Sequence, residues 1–266
     1  MRTKWVTYER TLSQKQISSN FYNNSTILRY LSFTLHGWSQ ESSIETIISY
    51  ICKVFENMIT VHHLEHSRSQ RIIWLCQELD LDYSVISYKR DPKTSLAPIE
   101  LEKIHPLGKS PVITDGQNTV IESGAIIDYL LRNYGNGRLR PRIGSLEYDQ
   151  YQQWLHYGES GAILPFMLKL YTSKLPEGTS ALQPRIDSEL TRHLSYLESA
   201  LKDVDWFVGN KFSGADIQLS FIAEIAPVLY SLHDYPNLAA FRDRCHNREA
   251  YRYVLANNNF YAYGPR

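Results

Sequence analysis

Cysteine is scarce in this chain. Only Cys52, Cys76 and Cys245 occur in 266 residues. An odd number cannot all be bridged and no two form a C-x-x-C pair, so each reads as a small buried hydrophobe in a reducing compartment. Net charge is absent as well. Lys and Arg total 28 against 28 Asp and Glu, which leaves no footprint for nucleic acid or an acidic membrane, and the one basic cluster, Arg138, Arg140 and Arg142, reads as a solvated linker. Residues 1–57 lack an uninterrupted apolar run long enough for a signal peptide or a membrane span. Glu9, Glu41 and Glu45 argue against a transit peptide. His62, His63 and His66 lie close together, but no further ligand completes a pattern around them. Neighbours on a strand point to opposite faces, so no metal is expected.

What the chain does have is 43% hydrophobic and 21% charged residues, enough for two modest domains. Its most informative stretch runs from His105 to Tyr129. Pro106 and Gly108 mark a turn, Pro111 opens a β-rich run to Thr114, Asp115-Gly116 signals a hairpin, and Thr119 to Ile121 is a second β-rich run. A helix follows, with Ser123 as N-cap and Ile126, Ile127, Leu130 and Leu131 at helical spacing. The carboxylate of Glu122 and the hydroxyl of Ser123 thus sit at a helix N-terminus, whose free N–H groups suit a ligand carboxylate while Glu122 suits an ammonium. An α-amino acid headgroup carries both. A purely structural reading, in which Ser123 caps and Glu122 favours the helix dipole, stays open on this stretch alone.

Around it the pattern alternates. Ile59, Val61 and Leu64 predict a first strand, and residues 65–71 lead into a helix with Ile72, Ile73, Leu75, Cys76 and Leu79 on its apolar side. Tyr83 to Tyr88 is a second strand, and 90–104 a Pro-containing connection with a short helix around Glu100 to Lys103. The order is β-α-β-α-β-β-α. Beyond a Gly- and Pro-containing linker the chain reads as helical: Gly144 to Tyr171 is long and aromatic, and Ile186, Leu190, Leu194, Leu197 and Leu201 mark an amphipathic helix. Ser213 with Asp216 reads as a variant capping box, with Phe212 as its staple. Two closing helices begin near Pro236 and Ala250. Before Met58, only Ser43 to Phe55 has helical pattern, one that suits packing on the main body or a partner. Residues 1–57 are otherwise expected to be an appendage or an over-extended reading frame.

Lys109-Ser110-Pro111, the hairpin and Glu122-Ser123 resemble the glutathione-binding site of the cytosolic glutathione S-transferases, and the likeness runs from Met58 to about Ala256. The resemblance implies an α/β plus all-α protein: a thioredoxin-like βαβαββα domain over 58–134, a linker over 135–143 and a helical bundle over 144–256. Residues 1–57 are an extension and 257–266 a tail. It also implies that Pro111 is cis, turning the backbone of Ser110 toward the cysteinyl part of glutathione. Glu122 and Ser123 then take the γ-glutamyl end, and Lys109 reaches the glycyl carboxylate.

Ser67 stands after the first strand and four positions ahead of Arg71, where serine-type members keep their catalytic serine. The nearest branch is the bacterial and fungal one whose first helix opens with His-Ser-Arg. Ser67 or Ser69 as a plain N-cap is a compatible reading, since a hydroxyl can accept from a helix N–H while donating to sulfur. A thiol of pKa about 8.5 is only a few per cent thiolate at neutral pH, and lowering it by about 2 units requires roughly 2.7 kcal/mol. A hydrogen bond to a charged group contributes roughly 1.5–3 kcal/mol and a helix N-terminus about 0.3–1. Together they suffice. Arg68 adds a positive field or is simply solvated, and His66 is a donor behind Ser67 or a surface histidine. The phenol used by tyrosine-type members and the cysteine of thiol-transfer branches are both missing here.

The second substrate is expected between the domains, against Tyr157, Phe166, Met167 and Tyr171, although aromatic residues at helical spacing are more often core. Glu159 and Gly161 face the cleft or a partner subunit. The resemblance thus implies a cytoplasmic, homodimeric glutathione transferase that joins glutathione, as co-substrate, to a small apolar electrophile without a metal. Glutathione-dependent peroxide reduction or isomerisation, and a non-catalytic glutathione-binding scaffold, stay open.

Overall fold

In this computed structural model the described residues are 58–175, 179–257 and 261–265. Contacts divide the chain at Asn57, and the unit from Met58 onward is the one described. The expected helix over 43–55, Cys52 and the rest of residues 1–57 lie outside it.

Alternation builds the sheet. Strand β1 (Ile59–Leu64) directs Ile59 and Val61 to one face and His62 and Leu64 to the other. It pairs in parallel with β2 (Tyr83–Tyr88), which matches the predicted limits, and antiparallel with β3 (Val112–Asp115). The hairpin turns at Gly116, whose φ of 56° is left-handed, and returns as β4 (Asn118–Ile121). Strand order is β2-β1-β3-β4. Helices α1 (Ser69–Glu78) and α2 (Ser123–Tyr134) cover one face through Ile72, Ile73, Ile126, Ile127 and Leu130. The other face carries a smaller cluster, Leu64, Leu101 and Val112. The expected helix near 100–103 is a 3-10 segment, Ile99–Lys103.

Beyond α2 the described residues are largely helical: α3 (Leu146–Tyr157), α4 (Leu164–Thr172), α5 (Gln183–Ala200), α6 (Gly214–Leu229), α7 (Pro236–His246) and α8 (Glu249–Asn257). The aromatic stretch from 144 to 171 is not one helix. A π-turn at Gly158–Ala162 interrupts it, and Pro165, which cannot donate to the ladder, stands in the first turn of α4.

Helix α6 is the centre. Every residue from Gly214 to Ala226 is buried, and α1, α2, α3, α4 and α7 all pack on it. The expected capping box starts it: Ser213 Oγ accepts from Ala215 N–H at 3.3 Å, and Asp216 Oδ2 accepts from Ser213 N–H at 2.8 Å. Asp216 Oδ1 also accepts from Phe207 N–H at 3.0 Å. A β-carbon on Gly214 would meet Ile127 and Leu131 side chains at 2.7 Å, so only glycine lets α6 come this close to α2. Phe212 packs differently from a local staple, since its ring lies 5.7 Å from Trp74 on α1 and 4.9 Å from Trp206. One hydrophobic cluster therefore runs through both domains.

The basic cluster of the linker is only partly tied down. Arg138 donates to Leu79 O at 2.7 Å while staying exposed, half-buried Arg140 lies 3.6 Å from Asp128, and Arg142 is exposed. The tail also packs: Tyr261 is buried and donates to Glu224 Oε2 at 2.8 Å, beside Tyr251, which donates to Oε1 at 2.7 Å.

Candidate active site

The turn between β1 and α1 holds Ser67. His66, at φ 50°, reverses the chain into it. Arg90 braces this turn by donating from Nε to Glu65 O at 2.9 Å and from Nη2 to His66 O at 3.4 Å, while Ala262 of the tail donates N–H to His66 Nδ1 at 3.2 Å. Ser67 is 6% exposed. No side chain caps α1 at Arg68, the residue before its first turn. Ser67 Oγ instead accepts from Ser69 N–H at 3.2 Å, so it serves an orphan donor of the helix from one position upstream.

Around that hydroxyl lies a buried polar chain that the sequence did not signal. Ser67 Oγ is 2.7 Å from Ser69 Oγ, which is 2.8 Å from His63 Nδ1. On its other side Ser67 reaches Ser110 Oγ at 3.4 Å, and Ser110 donates to His62 O at 2.9 Å. The two histidines diverge as strand neighbours must: His62 Nδ1 lies 2.9 Å from Tyr88 Oη on the opposite face from Ser69. Burial lowers the pKa of each to about 4. Among the described residues no group of three His, Cys, Asp or Glu side chains comes together to hold a metal.

Ser110 is half-buried and the Ser110–Pro111 peptide is cis. Lys109 is exposed beside it. At the far end of the hairpin Glu122 is exposed, with φ 66° and ψ 121°, a conformation that L-residues rarely adopt and that local packing must hold. The helix begins one residue earlier than expected. Ser123 is the first residue of α2 and not its N-cap; Glu122 occupies the cap position, and no side chain caps the helix. The positive φ at Glu122 accounts for the difference, because it turns the chain directly from β4 into helix without an extended capping residue. Ser123 is buried at that N-terminus, so its neighbouring N–H groups and the Glu122 carboxylate remain a pair of opposite polarity.

Charge is concentrated on the other side of Ser67. Glu159, in the π-turn, pairs with Arg68 at 2.9 Å and with Arg71, which also donates to Gln218 O of α6. Two guanidiniums share one carboxylate, so positive charge is in excess here. Burial pushes the Glu159 carboxyl up, but Arg71 and Arg68 outweigh it and hold its pKa below the usual value. Both guanidiniums also lie over the Phe221 ring, at 5.0 and 5.6 Å. The break between α3 and α4 thus brings Glu159 to the start of α1.

The expected second-substrate wall does not form as a unit. Phe166 is fully buried and belongs to the core, a correction with a simple cause: α4 turns that face inward, while Leu164, Leu168 and Tyr171 face out. Tyr171 is 60% exposed. Tyr157 Oη is 2.7 Å from His193 Nδ1, its ring packs edge-on to Trp154 and Tyr196, and Met167 is half-buried.

Comparisons with known proteins agree on one family. Models of the glutathione S-transferase N-terminal and C-terminal domains match residues 61–138 and 162–249. Glutathione S-transferase 3 of Schizosaccharomyces pombe is 31% identical over 192 residues, 67% of this chain and 76% of that protein. Glutathione S-transferase 1 of Saccharomyces cerevisiae is 30% identical over 217 residues, 73% and 92% of the two chains. Among solved structures, a glutathione S-transferase from Actinobacillus pleuropneumoniae superposes with a TM-score of 0.70 at 33% identity, covering 75% of this chain and 92% of that one. A Phanerochaete chrysosporium glutathione transferase in complex with oxidized glutathione gives 0.66 at 26%, covering 76% and 97%.

Proposed function

The chain belongs to the glutathione S-transferase family, and from that premise we propose that it activates the thiol of glutathione through Ser67 and adds the sulfur to a small, largely apolar electrophile. The observation that carries this reading is the position of the Ser67 hydroxyl, buried at the start of α1 and within reach of Ser110 in front of the cis proline. Glutathione lies along that edge of the sheet. Its γ-glutamyl ammonium meets Glu122 and its carboxylate the N–H groups around Ser123; its cysteinyl backbone pairs with Ser110, and Lys109 takes the glycyl end. Tyr157, Met167 and Tyr171 remain available to a second substrate, and Phe166 does not.

The enzyme sits in the bacterial and fungal serine-type branch, in the cytoplasm, as a homodimer, with its thioredoxin-like domain over 58–134, a linker over 135–143 and its helical domain over 144–256. A donor hydrogen bond from Ser67 to sulfur contributes roughly 1.5–3 kcal/mol in favour of the thiolate, or about 1–2 pKa units. The arginine excess and the start of α1 add to it, and the released proton passes to solvent. Titrating protein-bound glutathione by thiolate absorbance tests this. The wild type should show a depressed thiol pKa that returns toward about 8.5 in Ser67→Ala. Binding without any shift would point instead to a scaffold that holds glutathione inertly.

A further inference from the structure

We propose that His63 is a positioning residue: acting through Ser69, it orients the Ser67 hydroxyl so that its proton points toward the ligand sulfur. The inference rests on the role given to Ser67 above and follows from counting protons. Each serine hydroxyl has one to give. The His62 carbonyl can only accept, so Ser110 directs its proton there, at 2.9 Å. Ser110 Oγ is then an acceptor, from Leu64 N–H at 3.3 Å and from Ser67 at 3.4 Å. With the Ser67 proton directed to Ser110, the 2.7 Å contact between Ser67 and Ser69 requires Ser69 as donor. The Ser69 proton is thereby used, and its 2.8 Å contact with His63 requires an Nδ1–H. Polarity runs one way, from His63 outward.

The outermost link is the weak one. At 3.4 Å it is long for a hydroxyl pair, so the Ser67 proton passes to a better acceptor when one arrives, and a thiolate is such an acceptor. If His63 Nδ1 accepted instead, Ser69 would draw the Ser67 proton inward. Sulfur would then face lone pairs, which disfavours its anion. Burial shields the inner links from water, with Ser69 0% and His63 5% exposed, while Ser67, at 6%, is left a small opening toward a ligand. His63 stays neutral, chiefly through its burial; Glu65 opposes this and His66 assists. It therefore acts by its tautomer and not by taking up the thiol proton.

The test is the thiol pKa of glutathione bound to the full chain, with glutathione affinity measured alongside, in the wild type and in Ser67→Ala, Ser69→Ala, His63→Leu and His63→Asn. His63→Leu, which frees Ser69 to accept from Ser67, should raise the pKa by about one unit, roughly tenfold less thiolate at a fixed pH below it, with affinity little changed, whereas Ser69→Ala, which removes that inward acceptor, should shift it by less than half as much. His63→Asn, whose amide N–H lies near the place of Nδ1, should restore the wild-type value. A shift in Ser67→Ala with none in His63→Leu overturns the inference and leaves Ser67 in its role. No shift in Ser67→Ala overturns that role, and this inference with it. A nitrogen NMR spectrum of the wild-type His63 ring is independent of how the variants fold: Nδ1–H is expected, and a ring protonated only at Nε2 overturns the proposal.

Discussion

Replacing Asp216 by alanine should cost about 3–5 kcal/mol, because its carboxylate serves three donors inside the protein. Phe207 N–H and Ser213 N–H are fixed in direction at 3.0 and 2.8 Å; Ser213 O–H, at 3.0 Å, can rotate to another acceptor. Each backbone donor left buried without a partner costs roughly 1–3 kcal/mol, and the loss of a helix cap about 1. Against a domain stability of roughly 5–15 kcal/mol this is a large fraction, and α6 is the helix on which both domains pack. The same carboxyl carries a pH signature. Burial pushes its pKa from 3.8 to about 7, against hydrogen bonds from Phe207 and Ser213 that favour the ionised form. A carboxyl raised in the folded state contributes stability that is fully present below its unfolded value and is lost as pH rises through its folded value. Between about pH 4 and 7 this group should therefore remove on the order of 2–4 kcal/mol as pH increases. Urea unfolding followed by circular dichroism from pH 4.5 to about 8 reads both effects, with Asp216→Asn as the variant that cannot titrate. Asp216→Asn should flatten that slope relative to wild type. A cost below about 1 kcal/mol for Asp216→Ala, or an unchanged slope in Asp216→Asn, would refute the reasoning.

Glu159 should behave with the opposite sign. Its carboxyl, pushed up by burial but pulled lower still by Arg71 and Arg68, gives stability that is present above its usual 4.5 and lost as the solution is acidified. Glu159→Gln should cost about 2–3 kcal/mol at pH 7, discounted from a fully buried pair because Glu159 is 24% exposed; a melt indistinguishable from wild type would mean that Arg71 is satisfied by Gln218 alone. The two faces of α4 differ in packing. Phe166→Ala should destabilise by about 3–5 kcal/mol, whereas Tyr171→Ala should stay within about 0.5 kcal/mol of wild type. Equal costs for the two would contradict the burial that divides them.

Local chemistry carried most of the first domain. The β-branched and aromatic run Tyr83–Tyr88, the Asp115-Gly116 turn and the Ser213/Asp216 box are legible because each depends on neighbours within a few residues: strand-favouring side chains, a left-handed glycine, a short polar side chain reaching a backbone N–H. The family likeness rests on the same short-range signals in order. Ser67, Ser110 and Glu122 could be named from them, but not the contacts that join Ser67 to Ser110 and to Ser69. Ser123 was misplaced by one position because the positive φ at Glu122 is imposed by the strand and helix it joins, and no residue type announces it. Phe166 and Tyr171 lie on the same helix with similar hydrophobicity, and only the direction in which α4 packs after the π-turn decides which is core. The meeting of Glu159 with Arg68 and Arg71, the grip of Glu224 on Tyr251 and Tyr261, and the chain from His63 through Ser69 to Ser67 all needed tertiary structure, because they join residues from different elements. Sequence determines which groups a segment can present; which of them share buried space, and so strengthen one another out of water, is decided when the elements pack.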